Sequence, residues 1–330
     1  MMIKLRSMKQ LMGLVILSFP WFLQSGNAND SLSRDLVPSR SMELFQDLKR
    51  TDDSPIHYYL ELADVEKDSK MLLVLIQGSG CIPISGQSET MQEMAKVMPG
   101  ADVLWVEKRG LEGIFNEEMI SLENCPNRYY QYESLHQRVE DYKSVIGSLS
   151  DQYEKIVVLG GSEGATIVGL LLQDQLPIDA AIALNGGGQY FIDDVLWNIE
   201  RTVPEPDRTF ALAGIQSFAA HILAMTAKEV ALDQDYSSNH SARWWQEMFS
   251  LDMTDVWGSG KIPLLMVQTL RDDNVSVLSA EAMFEKLELF PQIKVITMPA
   301  LDHGFHDAKG QSKAQDVVRE IQGWLKSTLK

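Results

Sequence analysis

Short apolar runs alternate along most of the chain with segments whose apolar residues recur at helical spacing. The apolar runs lie at 57–63, 71–77, 101–107, 156–159, 179–184, 262–268 and 293–298. The helical patterns lie at 87–98, 133–149, 163–174, 279–288 and in a last segment around Val317 to Leu325. Strands that are apolar throughout and alternate with helices are typical of a parallel sheet covered on both faces. The sequence therefore predicts an α/β fold with a mostly parallel, doubly wound sheet.

One long segment, residues 192–260, interrupts this alternation and has mostly helical patterns. Such a length is too great for a simple crossover between two strands. We interpret it as a helical cap inserted between two parts of the core, 29–191 and 261–330. Most of its large apolar residues are expected to form the cap's own core, and a minority to line an apolar pocket over the sheet. These residues are Trp197, Trp244, Trp245, Trp257, Phe210, Phe218, Phe249, Met225 and Met248.

The first 28 residues have the layout of a secretory signal peptide. Three cations and no acid precede an apolar run of 13 residues, and small residues follow up to Ala28. An uncleaved membrane anchor is the alternative, but a bilayer span needs about 20 apolar residues. We expect cleavage after Ala28, a periplasmic or secreted location, and no membrane attachment of the mature protein.

The composition is that of an ordinary globular protein, with 45% hydrophobic and 23% charged residues in a chain of 330. The formal net charge is −17, and it becomes −20 once the signal peptide, with its three cations, is removed. Such a protein is repelled by nucleic acid and by anionic lipid. Nucleic-acid partners are therefore excluded, and the acidity is interpreted as a source of solubility.

A serine lies at the corner between a buried strand and a helical pattern in KIVVLGGSEGATIVGLLLQ, residues 155–173. The segment GGSEG fits G-x-S-x-G in its strand–turn–helix context, which predicts Ser162 as a nucleophile held at a sharp turn. Gly160 and Gly164 are expected there because strand and helix approach too closely for larger side chains. A phosphate-binding loop is the rival interpretation, but the Lys-Ser/Thr pair that such a loop requires is missing. No cofactor and no metal are expected.

Several motifs in a fixed order resemble the α/β-hydrolase superfamily, in particular its capped esterases and serine aminopeptidase-like members. The motifs are LLVLIQGSG, VLWVEKRG, RVEDYKSVIGSL, VVLGGSEGA, IPLLMVQTLRDDNVS and MPALDHGF. The resemblance covers about residues 55–330. It implies the sheet of that superfamily and a catalytic triad in the chain order serine, acid, histidine.

The resemblance places the catalytic base after the last strand, where two of the six histidines lie. The segment LDHGF matches the superfamily's motif, so His303 is the predicted base. His306, three residues later, is the alternative and is expected to be a surface or supporting histidine. A serine hydroxyl is a poor nucleophile until such a base removes its proton.

The acid is expected after the preceding strand, where it would orient the imidazole and stabilise its charged form. The superfamily's pattern resembles G-x-x-D-x-x-V, which places Asp272 at the acid position and Val275 at the valine. Thr269 departs from the glycine of that pattern. Asp273 remains the alternative. Asp302 is a poor candidate because adjacent residues in a loop usually point apart.

Two backbone N–H groups are expected to stabilise the oxyanion. The resemblance implies the N–H of Glu163, directly after the nucleophile, and the N–H of Ser79, with Gly80 as the alternative second donor. Gln77 stands where the superfamily usually has histidine. The donors are backbone groups and survive this change, although the hydrogen bonds that support the loop are altered.

The segment VEKRG resembles the superfamily's D-R-G segment, with Lys108 in place of the aspartate. Arg109 is interpreted as a structural residue that fixes loops. The Glu163 side chain either meets a cationic group of the substrate or is solvated or paired.

The resemblance also implies a pairing of the two cysteines, Cys81 and Cys125. In that topology the strands at 71–77 and 102–107 are parallel neighbours, so the loops that follow them leave from one edge. An exported protein reaches an oxidising compartment, which favours a disulfide over two free thiols.

These features together predict a serine hydrolase that forms an acyl-enzyme. A carboxylic ester with an apolar part is the first expectation for its small-molecule substrate, because the cap is rich in aromatic residues. An aminopeptidase-like peptidase or a thioesterase is the alternative, and a non-enzymatic binding protein is a third hypothesis. The sequence does not predict the physiological substrate or the oligomeric state.

Overall fold

A computed structural model describes residues 42–63, 69–113, 125–233 and 240–330. The predicted signal peptide, residues 1–28, lies outside these ranges. Within them, no helix combines the length and the apolar character that crossing a bilayer requires.

The described residues form an eight-stranded, mostly parallel sheet in the order β1-β2-β4-β3-β5-β6-β7-β8. Only the β1–β2 and β2–β4 pairs are antiparallel, and the other neighbours pair in parallel. The predicted fold class is therefore confirmed. The strands are β1 Met42–Lys49, β2 Pro55–Glu61, β3 Met71–Ile76, β4 Asp102–Val106, β5 Lys155–Gly161, β6 Ala180–Leu184, β7 Leu264–Thr269 and β8 Ile293–Met298.

Helices connect these strands and cover both faces of the sheet. The bounds are α1 Glu89–Met94, α2 Asn127–Tyr132, α3 Leu135–Leu149, α4 Glu163–Leu171, α5 Phe191–Thr202, α6 Asp207–Ala224, α7 Ala227–Leu232, α8 Ala242–Ser250, α9 Met253–Ser259, α10 Val277–Leu287 and α11 Ala314–Thr328.

Two elements were not predicted from the sequence pattern. Strand β1, MELFQDLK, lies at the edge of the sheet and is mostly exposed, so it lacks the apolar run of a central strand. Helix α2 begins directly after Pro126, which itself has an extended conformation. A proline is well tolerated at a helix start, because the first N–H groups of a helix have no intrahelical partner.

The central strands bury side chains on both faces of the sheet, which divides the core into two layers. In β3, Leu72 and Val74 pack on the side of α3, α4 and α10, whereas Leu73 and Leu75 pack on the side of α1 and α11. This alternation explains why the central strands have continuous apolar sequences.

The chain between β6 and β7 contains helices α5 to α9, Phe191 to Ser259, in the segment that was interpreted as a cap. Five aromatic side chains of these helices are connected by ring contacts, with centroids of the contacting pairs 5.0–6.4 Å apart: Phe191, Phe218, Trp244, Trp245 and Phe249. Seven of the nine large residues named in the sequence analysis belong to, or pack against, the same apolar cluster as Leu72 and Val74 of β3, whereas Phe210 is 51% exposed. The division of the chain into a core and a cap remains a prediction.

The predicted disulfide between Cys81 and Cys125 is present, with the two sulfur atoms 2.07 Å apart. It joins the loop after β3 to the chain just before α2, and β3 and β4 are parallel neighbours as the resemblance implied. The bond packs against Leu111, Tyr129 and Tyr130 in a small apolar cluster. It anchors, at Cys81, the loop that also contains the predicted oxyanion donor Ser79.

Helix α4 approaches strands β5 and β3 so closely that only glycine fits at two positions. A Cβ atom at Gly160 would lie 2.2 Å from the carbonyl oxygen of Gly164, and one at Gly164 would lie 2.3 Å from that of Ile76. Both obstacles are backbone atoms and cannot rotate away. The glycines predicted around Ser162 are therefore required by packing.

We expect Gly164→Ala to destabilise the fold by about 1–3 kcal/mol or more, since the added methyl group overlaps the backbone of β3. Gly147→Ala in α3 is the matched control, because a Cβ at Gly147 meets no atom within 4 Å. Alanine is the better helix former, so this change should raise the free energy of unfolding by about 0.4–1 kcal/mol. Urea denaturation of the two variants measures both changes, and equal shifts would contradict the assignment.

Candidate active site

Ser162 lies at the turn between β5 and α4 with φ of 55° and ψ of −125°. This conformation is rare for a residue with a side chain and is held by the surrounding packing. The N–H of Ser162 donates to the carbonyl of Leu184 at 2.9 Å, which ties the turn to the end of β6. Its side chain does not cap α4, so the hydroxyl is not used to start the helix.

His303 and Asp272 are in contact beyond the carboxyl ends of the parallel strands, the side of the sheet on which Ser162 also lies. The Nδ1 atom of His303 lies 2.8 Å from Oδ2 and 3.0 Å from Oδ1 of Asp272. Asp272 follows β7 and His303 follows β8, so parallel pairing of these strands brings their loops together. Both side chains are buried.

Further hydrogen bonds fix the Asp272 carboxylate. The N–H groups of Asn274 and Val275 donate to Oδ1 at 2.9 and 3.0 Å, and the Thr269 hydroxyl donates to Oδ2 at 3.1 Å. Thr269, the departure from the superfamily's glycine, thus contributes a hydrogen bond to the acid. The carboxylate is held in one orientation towards His303.

The pairing shifts both groups towards their charged forms. Burial alone would raise the pKa of Asp272, but the charge and hydrogen bond of His303 and the backbone N–H donors outweigh it and lower that pKa. Burial would likewise lower the pKa of His303, but Asp272 outweighs it and raises that pKa above its ordinary value. The site therefore favours an imidazolium once His303 has accepted a proton.

The alternative residues lie elsewhere. Asp273 is exposed, and its carbonyl accepts a hydrogen bond from Arg201. His306 lies 3.3 Å from Asp302, measured from Nδ1 to Oδ1, and pairs with Ser312 in an isolated β-bridge. The geometry thus favours Asp272 and His303 over Asp273 and His306.

Asn185 connects the carboxyl ends of β6, β7 and β8 and was not identified from the sequence. Its side-chain amide donates to the carbonyl of His303 at 2.9 Å, and its side-chain oxygen accepts the N–H of Thr269 at 2.9 Å. It directly follows Leu184, whose carbonyl holds Ser162. The φ of Asn185 is 49°, a left-handed conformation that asparagine tolerates better than most residues. The only sequence signal was its position after β6, in the segment NGGG.

Ser162 and the Asp272–His303 pair therefore lie at the same carboxyl end of the sheet. Hydrogen bonds of the consecutive residues Leu184 and Asn185 connect them.

The loop after β3 lies against Ser162. A Cβ atom at Gly78 would come within 3.4 Å of the Ser162 Cβ. Gln77, which replaces the superfamily's histidine, donates from Nε2 to the carbonyl of Ile82 at 3.3 Å and so spans the loop. The carbonyl of Gln77 accepts a hydrogen bond from Arg138 at 2.8 Å. This loop contains Ser79 and Gly80, the predicted oxyanion donor and its alternative.

Glu163, directly after Ser162, has a buried side chain with partners on two other helices. Its carboxylate forms an ion pair with Arg138 of α3 and accepts the indole N–H of Trp244 of α8 at 2.7 Å. Burial alone would raise the pKa of Glu163, but the charges of Arg138 and Lys108 outweigh it and lower that pKa. The carboxylate is therefore paired inside the protein, which answers the question of its partner.

Within the described part of the chain, no cluster of three or more histidine, cysteine, aspartate or glutamate side chains is arranged to hold a metal ion.

No protein-family model matches this sequence, and no curated protein matches it at the sequence level. Solved structures do match its fold. Est1E from Butyrivibrio proteoclasticus has 12% identity and a TM-score of 0.54, and the match covers 87% of this chain and 98% of that one. The esterase Pf2001 from Pyrococcus furiosus has 14% identity and a TM-score of 0.56, with 92% and 97% covered.

An acylaminoacyl peptidase from Pyrococcus horikoshii also matches, at 15% identity and a TM-score of 0.54. The match covers 88% of this chain and 42% of the peptidase. Likenesses at such low identity are evidence about the fold alone. Together with the order of the sheet and the strand–serine–helix turn, they show that this chain has the α/β-hydrolase fold.

Proposed function

We propose that this protein is a serine hydrolase with Ser162 as nucleophile, His303 as base and Asp272 as the acid that orients the base. The Asp272–His303 pair, placed at the sheet edge that also carries a strained serine, is the observation that supports it most strongly. Esterases and an acylaminoacyl peptidase among the proteins of similar fold are consistent with this chemistry.

The reaction begins when Oγ of Ser162 bonds to the carbonyl carbon and its proton passes to Nε2 of His303. His303 then gives this proton to the leaving alcohol or amine as the acyl-enzyme forms. Water repeats the sequence, with His303 as base, and releases the acid and free Ser162. Asp272 keeps Nδ1 hydrogen-bonded, which fixes the tautomer and stabilises the imidazolium.

The oxyanion formed in each step would accept hydrogen bonds from the N–H groups of Glu163 and Ser79. Glu163 is the first residue of α4, and the first N–H groups of a helix have no intrahelical carbonyl. The partial positive charge of the helix start adds to the stabilisation. Ser79 lies in the loop whose Gly78 approaches Ser162.

We propose a carboxylic ester with an apolar acyl or alcohol part as the substrate. The aromatic cluster between β6 and β7 supports an apolar partner. Glu163 is already paired with Arg138 and Trp244, so it is not free to bind the ammonium group of an aminopeptidase substrate. The likeness to an acylaminoacyl peptidase keeps peptidase activity as the second candidate.

We propose that the protein acts outside the cytosol, in the periplasm or as a secreted protein. The Cys81–Cys125 disulfide supports an oxidising compartment.

Ser162→Ala should reduce turnover on the order of 10⁴-fold or more, as loss of a triad nucleophile does. The wild-type protein should bind a fluorophosphonate probe at Ser162 in a one-to-one ratio, as measured by intact mass. Ser144→Ala is the matched control, since Ser144 is an exposed residue of α3 that bonds only to its own helix. Absence of labelling in the folded wild-type protein would favour the binding-protein hypothesis.

The value of kcat/KM should fall as the pH decreases, with a midpoint above 6.5. His303 must be neutral to accept the serine proton, and Asp272 raises its pKa, so protonation inactivates the base at a higher pH than for a free histidine. His303→Ala should abolish activity, whereas His306→Ala should retain most of it. A pH-rate profile of the three proteins measures this, and loss of activity in His306→Ala alone would refute the assignment.

A panel of acyl esters and aminoacyl amides of matched size should show faster hydrolysis of the esters. Within the esters, kcat/KM should rise with acyl length, because each buried methylene contributes about 0.8 kcal/mol. Amide turnover that exceeds ester turnover would favour the peptidase.

A further inference from the structure

Lys108 is a buried lysine directly beyond β4 whose ammonium binds the loop after β3. Its Nζ donates to the carbonyl of Gly78 at 2.6 Å and to the carbonyl of Gly80 at 2.6 Å. The side chain is otherwise enclosed, with the Tyr129 ring centroid 5.9 Å from Nζ. Two carbonyls of one short loop are therefore turned towards a single nitrogen atom.

The orientation of a carbonyl sets the direction of the N–H that follows it. In a trans peptide the C=O of one residue and the N–H of the next point in opposite directions. When Lys108 holds the Gly78 carbonyl, the N–H of Ser79 must point away from Lys108. The loop at Gly78 lies against Ser162, so this peptide plane borders the nucleophile.

The other contacts of this loop do not fix the direction of the Ser79 N–H. The disulfide fixes where Cys81 lies, and the Gln77 side chain spans the loop to Ile82, but neither bonds to the peptide between Gly78 and Ser79. Gly80 has φ of 84°, a region open to glycine, and glycine lowers the barrier to reorienting the adjacent peptides. Lys108 is thus a separate restraint on the direction of the peptide planes.

Lys108 can donate to both carbonyls in either protonation state. Burial and the charge of Arg138 lower its pKa to about 7, while Glu163, Glu133 and Glu107 favour its charged form. A neutral amine keeps two N–H donors, which suffice for two carbonyls.

We propose that Lys108 is a positioning residue that directs the N–H of Ser79 at the oxyanion. This inference rests on the proposed hydrolase function. It explains why a lysine stands where the superfamily's segment has an aspartate, because a carboxylate has no donor for two carbonyls. Lys108 itself does not touch the substrate.

Lys108→Met retains a side chain of similar length and removes both hydrogen bonds. We expect kcat for an ester to fall about 10²-fold, within the range for loss of an oxyanion donor, with KM changed less than threefold. Lys155→Met is the matched control, since it removes a lysine that pairs with Asp179 at the opposite end of β5. That variant should keep kcat within twofold of wild type.

A thionoester of the same structure separates positioning from a general structural role. Sulfur accepts hydrogen bonds weakly, so the thionoester depends little on the oxyanion donors. The ratio of ester to thionoester kcat should therefore fall at least tenfold in Lys108→Met. A general loss of folded protein would lower both rates equally and leave the ratio unchanged.

Two results distinguish failure of this inference from failure of the proposed function. If wild type neither binds the fluorophosphonate probe nor hydrolyses the ester, the proposed function fails and the inference falls with it. If wild type is active and the ratio in Lys108→Met equals that of wild type, the inference is overturned while the hydrolase stands. Lys108→Leu, a shorter apolar side chain that also lacks a donor, gives the same test if Lys108→Met is not recovered folded.

Discussion

The buried carboxylate of Glu163 is the group on which the arrangement around Ser162 depends. A charge inside a protein costs several kcal/mol unless it is paired and hydrogen-bonded. Arg138 and Trp244 supply those partners, and they come from α3 and α8. Because Glu163 directly follows Ser162, every element that satisfies its charge is fixed relative to the strained turn.

Arg138 extends this constraint to the other side of the proposed oxyanion site. Its guanidinium pairs with Glu163 and also donates to the carbonyl of Gln77, at the start of the loop that carries Ser79. Lys108 holds the next part of that loop. The two segments that carry the proposed oxyanion donors therefore share one cluster of buried charges. Their relative position is set by electrostatics as well as by backbone pairing.

The same cluster also contacts the helices between β6 and β7. Glu133, just after α2, accepts the N–H of Ser241 at 2.7 Å and lies 2.6 Å from Nδ1 of His240. The His240 ring stacks on Trp244 with 3.6 Å between centroids, and Trp244 donates to Glu163. A path of buried contacts thus runs from the start of α8 to Glu163, the residue beside Ser162. A displacement of the helices between β6 and β7 would therefore also displace the turn at Ser162, since a buried ion pair tolerates little displacement.

The sequence by itself determined the features that depend on local pattern. Apolar runs predicted the central strands, and G-x-S-x-G predicted the turn, because a close strand–helix approach admits only glycine at Gly160 and Gly164. The resemblance supplied the disulfide and the order of the candidate triad. Edge strand β1 was not predicted, because an exposed strand has no apolar run.

Only the tertiary structure decided how the buried polar groups are paired. Glu163 meets Arg138 across 25 residues and Trp244 across 81, and Lys108 reaches Gly78 across 30. Asn185 likewise joins Thr269 and His303 across 84 and 118 residues. A sequence pattern records which residues repeat along one element. These contacts depend on how separate elements pack, and the cost of an unpaired buried charge then selects the partner.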